Sequence, residues 1–148
     1  MSISRNLSFL ASSIGSTGAS LNTQEVNTIS ATAATGTINY DASTQSVLYY
    51  TTNASANWTL NVRGNSSITL NSLMSTGQSL TIAFLATQGA TAYYQSAMTI
   101  DGTSVTPKWQ GGTAPSSGNA SSIDVYSFTI VKTGSAAFTV LGSQTKFA

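Results

Sequence analysis

The residues to weigh first for chemistry are four carboxylates, Glu25, Asp41, Asp101 and Asp124, because the chain contains neither histidine nor cysteine. Those two absences remove the usual Ser–His and Cys–His nucleophiles and most zinc and iron sites. Two carboxylates facing each other across a cleft, roughly 5–10 Å apart, could hydrolyse a glycosidic bond. None of the four stands in a recognisable motif, however, and Asp41 and Asp101 fall in turn-forming stretches. The D-x-[DN]-x-[DN]-G spacing of a calcium loop is missing.

Two further strings resemble catalytic signatures. Ser143-Gln144-Thr145-Lys146 fits S-x-x-K and Lys132-Thr133-Gly134 fits K-T-G. In penicillin-binding enzymes the serine motif comes first and opens a helix, with S-D-N in between. Here the order is reversed and S-D-N is absent. The residues therefore support no enzyme, no cofactor and no metal site.

Recognition remains open through aromatic rings. Tyrosine doublets stand at Tyr49-Tyr50 and Tyr93-Tyr94, and Trp109 precedes the glycine-rich stretch 110–122. Alternation along a strand turns the two rings of a doublet to opposite sides. Tyr93, Tyr94 and Trp109, with the 110–122 loop, are the candidate contacts for a glycan. The five cations are scattered, so no basic stripe exists for nucleic acid. No apolar run approaches the roughly 18 residues of a membrane span. "LSFLASSIG" is too rich in serine for a signal-peptide core and is read as mature protein.

The elements that must position these residues fall into two parts. In residues 1–34, Ile3, Leu7, Leu10 and Ile14 recur at steps of four and three, which predicts a short helix over 2–14 ended by Gly15. Ser16 to Ala34 has no sustained period and reads as an extended arm. The helix and arm are the expected attachment and oligomerisation segment. Three turns are marginal alone in water, so the helix needs a surface to dock on.

Residues 35–148 change to alternation. Trp58, Leu60 and Val62 share one face of "NWTLNV", and Leu80, Ile82 and Phe84 one face of "SLTIAFL". In "DVYSFTIVK", Tyr126, Phe128 and Ile130 oppose Val125, Ser127, Thr129 and Val131, as in a central strand. Turn signals such as "DAST", "STGQ", Asp101-Gly102 and "KTGS" separate about eight strands. The expected fold is all-β, an antiparallel, jelly-roll-like β-sandwich. Pro107 lacks an amide hydrogen, so strand 103–109 is expected at a sheet edge or bulge, with Lys108 guarding it.

"INYDASTQSVLYYTTNASANWTLNVRG", "GATAYYQSAMTIDGTSVTPKWQGG" and "GNASSIDVYSFTIVKTGSAAFTVLGSQTKFA" resemble a domain of virion structural and tail-fibre-like proteins from marine tailed bacteriophages, particularly those of cyanobacteria. The resemblance spans about residues 35–148, and "SISRNLSFL" is similar to the start of fibre-type proteins in such phages. It implies a non-enzymatic component on the outer surface of the virion. With 34 residues ahead of the strands, a head or neck decoration or a short spike is the expected form. Its expected partners are further copies of itself, a trimer being favoured, and other virion proteins of the capsid, neck or tail. The alternative is a receptor-binding module at a fibre tip that contacts host glycan.

The charge balance suits such a setting. Only 6% of residues are charged, and Ser, Thr, Asn, Gln and Gly supply the polarity. Solvation by hydroxyls and amides is little affected by salt, whereas charge pairs are screened within about 3 Å at 1 M.

Overall fold

The computed structural model describes residues 26–148. The predicted helix over 2–14, with Ile3, Leu7, Leu10 and Ile14, lies outside the described residues, as does most of the arm. The part of the arm that is described is strand: β1 (Asn27–Ala33) precedes the predicted start of the strand region.

Ten strands follow in the order β1 (Asn27–Ala33), β2 (Gly36–Asp41), β3 (Val47–Thr52), β4 (Trp58–Arg63), β5 (Ser79–Thr87), β6 (Gln95–Ile100), β7 (Thr103–Val105), β8 (Lys108–Trp109), β9 (Ile123–Gly134) and β10 (Ala137–Phe147). A single helical turn, α1 (Leu70–Leu73), separates β4 from β5, and a 3₁₀ turn covers Gln110–Gly112. The strands form a six-stranded sheet, β1-β3-β5-β9-β10-β8, and a four-stranded sheet, β2-β4-β6-β7.

The first six strands alternate between the sheets, so that each strand lies beside the one two places earlier and runs parallel to it. Three rungs of a two-sided coil result, as in a short solenoid. In the smaller sheet this stacks Ile38 on Leu60 on Met98, and Tyr40 on Val62 on Ile100, all buried. In the larger sheet Leu48 meets Phe84. The coil then gives way to antiparallel pairing, with Phe84 opposite Tyr126, Ile82 opposite Phe128, and Val140 opposite Ile130.

The all-β expectation agrees with this architecture, whereas eight antiparallel strands are corrected to ten strands in two mixed sheets. Antiparallel pairing, on which the jelly-roll expectation rests, is confined to β5–β9, β9–β10 and β6–β7. The reason is local. A corner that carries the chain to the opposite sheet uses the same Gly, Asn, Asp and Ser residues as a hairpin, and alternation of apolar residues is the same for either strand direction.

Both sheets contribute to one buried cluster. Trp58 of the smaller sheet meets Phe84 and Tyr126 of the larger edge-on, with ring centroids 5.8 and 5.6 Å away. Edge-to-face pairs of this kind add about 0.5–1.5 kcal/mol to simple burial. Tyr50 also meets Phe84 edge-on at 5.4 Å.

Pro107 divides the predicted strand 103–109 in two. β7 ends one sheet, β8 ends the other, and Thr106-Pro107 carries the chain across between them. The proline thus sits where neither ladder needs its missing donor.

Candidate functional site

Three of the four carboxylates lie in the described residues, and each is held by hydrogen bonds within the fold. Asp41 at the end of β2 accepts from Arg63 Nε of the neighbouring β4 at 2.6 Å. Asp101 takes the backbone amides of Leu70 and Asn71 at 2.7 and 2.9 Å, and Thr69 Oγ1 accepts from Ser72 N at 3.1 Å. Together they satisfy donors that the start of α1 would otherwise leave bare.

The far end of α1 is held by Lys132, which is buried and donates its Nζ to the carbonyls of Asn71 and Met74. The K-T-G string is therefore a strand end whose lysine braces a helical turn. Ser143 and Lys146 both lie on β10, a strand and not a helix opening.

Asp124 is wholly buried in β9. Its Oδ2 accepts from Gln88 Nε2 at 3.1 Å and from the Asn119 amide at 3.0 Å, while Oδ1 accepts from Asn119 Nδ2 at 2.5 Å. Gln88 in turn bridges the backbone of Tyr93, donating to its carbonyl at 2.7 Å and accepting from its amide at 3.0 Å. This network ties the base of the 113–122 loop to the turn before β6. Gly118 is required there, since a Cβ would come within 2.1 Å of the Tyr93 carbonyl oxygen.

Among the described residues no group of three or more acidic side chains could hold a metal, and no helix is long and apolar enough to cross a membrane. A depression of about 380 Å³ around Ser127, Thr129 and Leu141 gathers no buried unpartnered polar group.

A smaller cleft is built differently. β7 pairs only with Met98–Ile100 before the chain leaves for the other sheet, so the first half of β6 has no β7 partner. The strap from Thr106 to Pro115 passes over this stretch and encloses about 230 Å³ between Gln95–Met98 on one side and Pro107, Trp109 and Pro115 on the other. Trp109 is half-buried, set edge-on against Phe128 at 5.6 Å. Gly142 makes room for that pair, because a Cβ there would stand 2.8 Å from Phe128 and 3.2 Å from the indole.

Gln95 lines the cleft and is only 3% exposed, yet neither atom of its side-chain amide has a hydrogen-bond partner. Its register partner, Trp58, also buries an indole N–H without an acceptor. The Gln95 backbone amide does have one, the Tyr126 hydroxyl at 3.3 Å. Burial raises the pKa of that hydroxyl above the ordinary tyrosine range; the Gln95 bond opposes the shift and the Asp124 charge adds to it.

Of the three predicted contact residues, Trp109 lies in the cleft and Tyr93 and Tyr94 do not line it. Tyr93 is packed on the core and tied to Gln88, and Tyr94 receives its amide's acceptor from Asn57 at 3.1 Å. Gln95, the adjoining residue, was not singled out by the sequence. A register shift between Trp58 and Thr59 pairs Trp58 with Gln95 and Thr59 with Ala97, so inward-facing Gln95 is out of phase with Met98 and Ile100. Alternation counted back from Met98 turns Gln95 outward; only the bulge turns it in.

Comparison of the chain with protein-family models, curated proteins and solved structures finds no match in any of the three.

Proposed function

We propose that this chain is a non-enzymatic structural protein of a phage virion, a two-sheet sandwich carried on the particle's outer surface as a homo-oligomeric decoration or short spike. The observation that carries the assembly half of this reading is the end of the coil that no described strand covers. β1 and β2 are both terminal strands of their sheets and together form its first rung. β1 has seven residues, "NTISATA", with no charge and no proline, and Ile29 is 70% exposed. Val26, just before it, is 63% exposed. A long, uncharged edge of this kind is a template for pairing with another chain.

The occupant of that edge is a second copy, in a trimer. The preceding 25 residues lead into β1 and carry the Ile3, Leu7, Leu10 and Ile14 stripe beside the same edge in the chain. Both features would bring copies together at one end and leave the opposite end outward. The virion setting rests on the sequence resemblance and on the salt-tolerant, charge-poor surface. The use of every described carboxylate in holding the fold supports a non-catalytic role.

Sedimentation of the full chain and of Ile29→Lys tests the assembly. The expected result is a trimer of 15.2 kDa chains that becomes monomeric in the variant with unchanged circular dichroism. A monomeric parent chain overturns it. Deletion of residues 2–15 is expected to abolish incorporation into particles while the sheets stay folded, and normal incorporation would remove the attachment role.

A further inference from the structure

We infer that the cleft between β6 and the Thr106–Pro115 strap is a binding site for a neutral saccharide, with Trp109 as its stacking platform and Gln95 as its hydrogen-bonding group. This goes beyond the structural role proposed above and does not depend on it.

The class of ligand follows from what the cleft offers. None of its lining side chains is charged, so an anion or cation would leave water without a counter-charge. Pro107, Trp109 and Pro115 give it apolar walls, and the indole is fixed in place by Phe128 and by the space over Gly142. A pyranose ring has an apolar face of C–H groups that suits such a surface. Rigid aromatic contact of this sort gives area at low cost in side-chain freedom.

The polar side of the cleft completes the match. Ser104 brings a hydroxyl, Ser96 a hydroxyl oxygen whose proton is given to the Trp58 carbonyl at 3.2 Å, and Gln95 brings one acceptor and two donors. A buried amide with all of these unpaired is costly in a folded chain and marks a position with a use beyond packing. Rotating the Gln95 side chain toward the cleft exchanges an unpaired setting for the hydroxyls of a sugar, which can serve both halves of an amide. At about 230 Å³ the cleft is smaller than the roughly 300–1,000 Å³ of pockets for drug-sized ligands, which suits a single sugar ring over an extended chain.

The test uses the full chain and a panel of neutral methyl glycosides (gluco, galacto, manno and N-acetylglucosamine), with saturation-transfer NMR for detection and titration calorimetry for affinity. At least one glycoside is expected to bind with Kd on the order of 1 mM. Gln95→Met is expected to weaken that binding about tenfold, the loss of one or two neutral hydrogen bonds, while raising the melting temperature because an unpaired amide is removed. Trp109→Ala should abolish binding and Trp109→Phe should keep part of it, the latter variant covering any loss of folding in the former. Ile29→Lys should bind like the parent chain, which separates this site from the assembly edge. Absence of binding by every glycoside overturns the proposal. So does binding that survives in both Gln95→Met and Trp109→Phe at full strength, or a glucuronide that binds as tightly as its neutral counterpart.

Discussion

The two ends of the molecule treat their sheet edges in opposite ways. At one end stand β1 and β2, seven and six residues long, whose single charge, Asp41, is already taken up by Arg63. At the other stand β7 and β8, three and two residues long, with Pro107 between them and Lys108 opening the second. Both prolines of the chain, Pro107 and Pro115, belong to that second end. Short strands, proline and lysine are the usual means of stopping edge pairing. The chain has only two prolines and places both at one end, so the two ends differ in how far their edges are guarded against pairing, which is the contrast the proposed assembly rests on. It also explains why the cleft lies at the guarded end: a strand cut short by a proline leaves the inner half of β6 uncovered.

The contrast presupposes one core supporting both ends, and the largest expected effect comes from removing it. Trp58→Ala deletes the ring that touches Phe84 and Tyr126 across the sheets, and should cost about 3–5 kcal/mol in urea unfolding. Against a typical total of about 5–15 kcal/mol, that is enough to loosen both ends together. If only one end lost protection in hydrogen exchange, the two would be separate units and the comparison would fail.

A smaller effect should appear in alkali. Tyr126 is protonated in the fold beyond the pH at which it ionises in the unfolded chain, near 10.0. Above that pH the unfolded state gives up a proton that the folded state keeps, so stability falls, by at most about 1.4 kcal/mol per pH unit for this group. Tyr50 is shifted the same way by burial. Tyr126→Phe should flatten the decline between about pH 9 and 11 in chemical denaturation. An equally steep decline in the variant would assign it elsewhere.

The smallest change in stability, and the sharpest probe of the contrast, is at the guarded end. Pro107→Thr combined with Lys108→Thr should alter unfolding free energy by no more than about 0.5 kcal/mol, as for most surface changes. It should nevertheless give the molecule a second mode of association, seen in sedimentation as species larger than the parent assembly. Unchanged sedimentation would mean that strand length alone protects this end.

Much of the strand content was legible because burial of one face imposes a period of two. The faces predicted from Trp58, Leu60 and Val62, and from Tyr126, Phe128 and Ile130, are the buried ones. The turns at Asp41–Thr44, Asp101-Gly102 and Gly134–Ala137 fall between strands as their residues indicate. β1 was missed for the complementary reason: five of its seven residues are exposed, so nothing in its sequence alternates. Trp109 stands out in the sequence as a large ring next to a loop, and it lines the cleft, whereas nothing in the sequence marks Gln95 or the Asp124 network. A glutamine facing inward and one facing outward are written with the same letter, and a one-residue bulge decides between them.

From its amino acids alone the chain was bound to be an all-β protein short of charge, with one central strand and a proline-marked edge, because local alternation and turn chemistry act over a few residues. Which strands lie side by side, whether they run parallel, which edges no described strand covers and which amide ends up unpaired in a cleft were decided only by tertiary structure. These depend on contacts between segments far apart in the chain, such as Asn27 with Val47 or Trp58 with Gln95, and short-range patterns carry no information about register or direction at that distance.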